Sequence, residues 1–415
     1  MIIHTVRAGE TIYSIANNYG VSESLLSLNN GIDGPLVVGE ELVVLFPSIT
    51  HTVGFGETLQ TIADKYSISV RELLRNNYYL RGNENIYPGQ TLVISYTDTP
   101  TKRVITNGYA YPFVNEQVLR TSMPYVDYLT PFTYGLTYSG NLLNLDDERL
   151  INIAKEYGTK AAMHISTLDE SDRFDSNLAS NILSNPDLQE ILYEDVRRVA
   201  KEKGYSAIDI DFEYINGSES EEYANFVAKL RTLGYPVIVA AAPKTSATQK
   251  GQLYEGHNYR LLGQAADYLF VMTYEWGYTY GPPLPVAPIQ NVRRVLDYAV
   301  TEVPSEKILL GIPNYGYDWK LPFVQGTSRA TSIGNRQAVE IAREKRAEIF
   351  FNETAQTPYF NYTDASGEHI VWFENARSIK AKFDLVNSYN LAGMGYWNLM
   401  REFPQLWLIQ NAMFN

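Results

Sequence analysis

Ala207-Ile-Asp-Ile-Asp-Phe-Glu-Tyr214 sets three acids, Asp209, Asp211 and Glu213, at two-residue spacing inside an apolar run. Residues two apart on a β-strand share a face, so the three carboxyls point one way. Ile208, Ile210 and Phe212 point the other way, into an apolar layer. Crowded like charges cannot all ionise cheaply, so the pattern predicts at least one raised carboxyl pKa. A carboxyl that keeps its proton near neutrality is the general acid that glycosidic cleavage needs.

Outward from this stretch, short apolar runs alternate with amphipathic segments from Arg103 to the C-terminus. Strands are predicted at 104–109, 125–132, 160–165, 207–213, 236–242, 268–274, 307–312 and 393–397, with helical patterns such as 148–157 and 188–203 between them. The eight units predict an α/β fold, a (β/α)8 TIM barrel rather than an open sheet. The interval 317–372 is too long for one crossover. Its strand-like Ile370-Val-Trp372 follows an Asp364-Ala-Ser-Gly367 turn, which predicts a small α+β insertion at about 318–372. Barrel enzymes work at the C-terminal ends of their strands. Glu213 is therefore expected at the mouth, with Asp211 and Asp209 deeper.

Length, charge and composition narrow the classes. At 415 residues the chain suits one large domain with small ones attached. A net charge of −13 without a basic cluster argues against nucleic acid or an anionic membrane as partner. No apolar run reaches the length of a membrane span, and Met1-Ile-Ile-His4 has no signal-peptide pattern, so none is expected. There is no cysteine, which removes disulfides and thiolate chemistry. The five histidines, His4, His51, His164, His257 and His369, lack metal-ligand spacing, so no metal and no cofactor is expected. Tyrosine outnumbers phenylalanine 32 to 16. Tyrosine combines a flat apolar face with a polar tip and suits sugar rings.

The N-terminus repeats itself. His4-Thr-Val6, Gly9-Glu-Thr-Ile12, Ile15-Ala16 and Tyr19 recur as His51-Thr-Val53, Gly56-Glu-Thr-Leu59, Ile62-Ala63 and Tyr66, each offset by 47 positions. Within a copy, a strand pattern passes to the i, i+3, i+4, i+7 stripe of a helix, a second short helix, and a closing strand. The expected units are βααβ domains at 1–47 and 48–96, then a short polar linker at 97–102 and the barrel at 103–415. The Gly-Glu-Thr-(Ile/Leu)…Ile-Ala…Tyr signature resembles the LysM module, which binds N-acetylglucosamine-containing glycans. The resemblance implies glycan contacts at Gly9, Glu10, Thr11 and Ile12, and at Gly56, Glu57, Thr58 and Leu59. The opposite side of each groove would lie near 30–33 and 77–80. Tethering by these modules is expected to concentrate glycan at the barrel mouth.

The barrel motifs also fall into register. Asp209-x-Asp211-x-Glu213, Met272-Thr-Tyr274-Glu275, Gly311-x-Pro313-x-Tyr315-Gly316 and Trp397 together resemble glycoside hydrolase family 18, the chitinase-like barrels. The resemblance implies retaining catalysis in which the substrate's 2-acetamido oxygen attacks its own C1. Glu213 would be the acid, Asp211 would orient the acetamido group, Asp209 would share a proton with Asp211, and Tyr274 would hold the acetamido oxygen. Trp397, Glu275, Tyr109, Trp319 and Met272 would bind substrate. Ser206 and Ala207 replace the usual Asp-Gly, Glu275 replaces the usual Asp, and Met163-His-Ile-Ser166 lacks the Gly-Gly common in chitinases. Tyr274-Glu-Trp-Gly277, Gly316-Tyr-Asp-Trp319-Lys-Leu-Pro and Val371-Trp-Phe-Glu374 resemble the spore cortex-lytic N-acetylglucosaminidases. That likeness implies a hydrolase of peptidoglycan, associated with the spore coat, cortex or cell wall; a monomer is expected, since nothing in the sequence suggests an obligate partner. A chitinase, or a chitinase-like lectin without turnover, is the alternative.

Overall fold

A computed structural model describes residues 1–100, 102–171 and 173–414; Thr101 of the expected linker lies outside the described residues. Eight parallel strands close into a barrel: β1 (Ile105–Ala110), β2 (Tyr128–Pro131), β3 (Lys160–Ser166), β4 (Ala207–Asp211), β5 (Val237–Ala241), β6 (Tyr268–Val271), β7 (Ile308–Pro313) and β8 (Gly393–Trp397). They follow one another around the barrel in chain order, and β8 closes it by pairing Gly393 with Ile105 of β1. Parallel strands covered on both faces read as apolar runs, which is why all eight are visible in the sequence.

The segment that delivers β4 shows how local chemistry sets the frame. Asn185 caps the helix Pro186–Lys203 by accepting from the amides of Asp187 and Leu188, and Pro186 occupies the first turn, where no amide partner is needed. Asp187 opens the helix and Lys201 and Lys203 close it, each favourable to the helix dipole. Leu192, Tyr193, Val196, Val199 and Ala200 form its buried stripe, each large aliphatic contributing roughly 1.5–3 kcal/mol. Gly204 ends the helix at φ 76°, a left-handed conformation that glycine adopts without strain. The chain then turns directly into β4, whose outward Ile208 and Ile210 are fully buried beneath the surrounding helices.

Between β7 and β8 lies the α+β insertion. Its antiparallel sheet runs, edge to edge, Thr331–Ile333, Gly316–Lys320, Gly367–Trp372, Thr357–Asp364 and Phe350–Asn352, and it carries the helix Asn335–Lys345.

Each N-terminal repeat is a two-stranded antiparallel sheet with two helices. The first pairs Ile2–Thr5 with Glu41–Val44 around helices Ile12–Tyr19 and Glu23–Asn30. The second pairs Pro47–Thr52 with Thr91–Tyr96 around Leu59–Tyr66 and Val70–Asn76. Both are packed firmly against the barrel. Val43, Leu45 and Tyr78 belong to the same buried cluster as the barrel residues Tyr125, Trp407 and Leu408. Ile349 of the insertion donates its amide to the Val38 carbonyl at 2.9 Å, and Tyr157 donates its hydroxyl to the Gly82 carbonyl at 2.7 Å. A chain of ion pairs, Asp33–Arg336–Glu402–Arg81, joins both repeats across one edge of the barrel. The linker's short length sets the reach, but buried contacts set the geometry.

Candidate active site

At the C-terminal end of the barrel a cavity of about 630 Å³ is lined by Asp211, Glu213, Tyr274, Glu275, Met272, Tyr109, Trp397 and His164, among others. The three acids descend in order. Glu213 is half-buried at the wall, Asp211 is buried beneath it, and Asp209 lies deeper still, outside the cavity lining. β4 ends at Asp211, so Glu213 sits just past the strand rather than on it, a correction to the expected strand end. The next residue, Tyr214, takes φ 58°, and Glu275 beside Tyr274 takes φ 66°. Left-handed backbone at non-glycine residues costs on the order of 1 kcal/mol each and gathers at functional sites.

Asp209 is held by two neighbours on β1. The Tyr109 hydroxyl donates to its Oδ2 at 2.7 Å and the Asn107 amide donates to the same oxygen at 3.1 Å. Its Oδ1 is buried without a partner, as is Oδ1 of Asp211. Burial pushes the Asp209 carboxyl up to about 8, against the opposing pull of the Tyr109 and Asn107 hydrogen bonds. Burial also raises Asp211, and burial with the nearby Asp211 charge raises Glu213. Among the described residues Glu213 makes no ion pair, so nothing holds it ionised. The site therefore retains protons that isolated carboxyls would release.

The other walls follow from neighbouring strands. The Tyr274 ring lies where a Cβ on Gly311 would come within 2.8 Å of it, so the glycine of β7 makes room for that ring. Burial first, then the Asp211 and Glu213 charges, raise Tyr274 well above the ordinary phenol value, so it stays a hydrogen-bond donor. Glu275 accepts from the hydroxyls of Tyr315 and Tyr317, the latter at 3.0 Å. Trp397 ends β8, half-buried, with its ring 5.0 Å from Phe132 and 5.8 Å from Tyr109. Behind Glu213, His257 accepts the Ala242 amide at Nδ1 and faces the Phe212 carbonyl with Nε2 at 2.9 Å. That pattern fixes its Nε2–H tautomer and pins the backbone that carries Glu213.

One sequence expectation needs correction here. Trp319 does not line the cavity: it is 1% exposed, and its indole N–H donates to the Gly281 carbonyl. Tyr109 spends its hydroxyl on Asp209, leaving only its ring to the cavity. Asn107, Tyr111, Phe132, Thr133 and His164 were not legible as site residues. The two-residue spacing of Asn107 and Tyr109 on β1 and Tyr111 just past its end was the available signal.

In the repeats, Thr11 and Thr58 cap their helices, and the Glu10 and Glu57 carboxylates meet His4 and His51 at 2.9 and 2.7 Å. Leu59 is buried in the core of its repeat, a correction to its expected glycan contact, and Ile12 is half-buried. Gly9 and Gly56 have no atom near a built Cβ, so these loops face open space. The opposite groove walls do not: Gly31 packs on Pro404, and Asn77, Tyr78 and Leu80 are buried.

A closed parallel barrel with buried acids at its C-terminal mouth is an arrangement that glycoside hydrolases use, and the family match makes the assignment. Residues 148–402 match the Glycosyl hydrolases family 18, residues 4–44 and 51–95 each match the LysM domain, and the chain belongs to family 18. It is 38% identical to the cortical fragment-lytic enzyme of Bacillus subtilis, over 100% of this chain and 98% of that one. It superposes on the spore cortex-lytic enzyme SleL of Bacillus megaterium with a TM-score of 0.84 and 34% identity, over 100% and 98% of the two chains. A chitinase from Chromobacterium violaceum matches 74% of this chain and 98% of its own, at 26% identity and a TM-score of 0.69.

Proposed function

We propose that the protein hydrolyses N-acetylglucosaminyl linkages of spore cortex peptidoglycan or its fragments, with retention at the anomeric carbon. Glu213 gives its proton to the bridging oxygen as the C1–O bond breaks, and the substrate's acetamido oxygen bonds to C1. Asp211 stabilises the charge on the resulting oxazolinium ring, and Tyr274 holds the acetamido oxygen in place. Trp397 floors the sugar, while Glu275 and Met272 line its sides. Water then adds at C1 and gives a proton back to the Glu213 carboxylate, while the bond from C1 to the acetamido oxygen breaks and restores the 2-acetamido group. Asp209 stays behind Asp211 as its proton-sharing partner.

The observation that carries this reading is the cavity itself. It brings two proton-retaining carboxyls, a phenol and an indole to one wall-to-wall site built from a single chain, so a monomer suffices. Full-length likeness to two enzymes named for cortex lysis supports the substrate and an association with the spore or cell wall. The LysM repeats support binding of N-acetylglucosamine glycans, with the free loops at Gly9–Thr11 and Gly56–Thr58 as contact points. Likeness to the Chromobacterium chitinase keeps chitin as a second reading. Assay of purified protein on cortex fragments and on chitin oligosaccharides, with NMR of the first-formed anomer, tests both. Faster turnover of cortex fragments with retention is expected. Faster turnover of chitin, inversion, or binding without turnover contradicts the proposal.

A further inference from the structure

His164 lies on β3 beside the acid strand, in register with Asp209, while Ser166 is in register with Asp211. Its ring is 1% exposed, tilted against Phe132 at 4.8 Å and perpendicular to Tyr109 at 5.6 Å, and it borders the cavity. Nδ1 meets the Thr133 hydroxyl at 2.6 Å, and Nε2 stands 3.8 Å from Asp211 Oδ2. No side-chain hydrogen bond of Asp211 occurs among the described residues, so His164 is the polar group that faces this carboxyl from β3.

We propose that His164 is a positioning residue for Asp211: its Nε2 gives that carboxyl a hydrogen-bonding seat separate from Asp209, and the imidazole tautomer follows the carboxyl's protonation state. The 3.8 Å gap is too long for a hydrogen bond, and a carboxyl rotation that shortens it by about 1 Å makes one. The Thr133 hydroxyl has one proton, which it gives either to Nδ1 or to one of three oxygens within reach, Ser166 Oγ at 3.2 Å and the Tyr134 and His164 carbonyls at 3.3 and 3.4 Å. Donating to Nδ1 leaves Nε2–H facing the Asp211 carboxylate. Accepting from Nδ1–H, while donating to one of those oxygens, leaves an Nε2 lone pair facing a protonated Asp211. Either state of the carboxyl is matched without charging the ring. Burial independently keeps the imidazole neutral, its pKa pushed down to about 3.

The titratable groups around His164 are Tyr109 on β1 and Asp209 and Asp211 on β4, with Tyr111, Glu213, Tyr274 and Glu275 elsewhere in the cavity wall; among the described residues no lysine or arginine lines it. A neutral donor that can become an acceptor lets Asp211 gain or lose a proton beside the substrate without stranding a bare charge. This rests on the proposed role of Asp211 in catalysis.

The chain has five histidines, so imidazole ¹⁵N spectra of the full-length protein resolve His164. Between about pH 5 and 9 its two nitrogens are expected to stay neutral in character and exchange tautomer over one pH step, absent in Asp211→Asn. A step that persists in Asp211→Asn, the absence of any step, or titration as a free imidazole overturns the inference. These outcomes do not depend on turnover, so an inactive wild type would refute the functional reading alone. In the pH profile of kcat/KM, His164→Gln, which keeps an N–H near Nε2, is expected to hold the acidic limb in place. His164→Leu is expected to move it upward by about one pH unit, roughly tenfold in rate at the acid side. Equal movement of both limbs, or of neither, overturns it.

Discussion

The Tyr109 hydroxyl donates to Asp209 Oδ2 at 2.7 Å, so a residue of the first barrel strand steadies the deepest acid of the fourth. Asp209 has no solvent to share its charge with. Removing this donor leaves a buried oxygen with Asn107 alone, at a cost of about 1–3 kcal/mol. Tyr109→Phe is therefore expected to raise Asp209 further and slow turnover at neutral pH more than it changes KM. Steady-state kinetics check this; an unchanged kcat contradicts it.

Stability should fall as pH rises. The folded-state pKa of Asp209 lies at about 8, above its unfolded value, so its contribution is complete below the unfolded pKa. It is lost as pH climbs through the folded value, at a cost on the order of 5 kcal/mol if borne by this group alone. Thermal melting is expected to show a lower Tm at alkaline pH than at pH 5, and Asp209→Asn is expected to flatten that slope.

Turnover follows the same sign. Glu213 must carry its proton, and burial with the Asp211 charge moves its loss above the ordinary carboxyl range. The rate is expected to peak between an acidic limb, where Asp211 takes up a proton, and an alkaline limb, where Glu213 loses its own. A kcat/KM that keeps rising into the alkaline range contradicts this.

Gly39 and Gly89 occupy equivalent turns of the two repeats, at φ 84° and 88°. A Cβ on Gly39 would fall 1.8 Å from the Ile349 carbonyl, whereas one on Gly89 meets nothing. Both alanine variants carry the same backbone strain, so their difference isolates docking of the first repeat. Gly39→Ala is expected to be less stable than Gly89→Ala by roughly 1–3 kcal/mol in chemical denaturation. Equal stability would mean the seam contributes nothing.

How much of this was legible follows from range. Barrel strands and repeat helices are written in local periodicity, so Val237–Ala241 or Ile12–Tyr19 can be read from a dozen residues. Docking is not: Asp33 meets Arg336 and Arg81 meets Glu402 across some three hundred positions, with no local pattern to announce them. Trp319 resembled a site aromatic because its neighbours match one, yet its position on the insertion sheet turns it into the core. A lone histidine meets only the test of metal-ligand spacing in a sequence, and His164 fails it. Its neighbours Thr133 and Asp211 come from the loop after β2 and from β4.

The acid role of Glu213 is tested most directly by the turnover of Glu213→Gln on a soluble N-acetylglucosamine-containing glycan, with Tm measured alongside. The account predicts a rate lower by about 10²–10⁴ at an unchanged Tm, because the amide keeps the shape and cannot give up a proton. Turnover near the wild-type rate in the folded variant would contradict it.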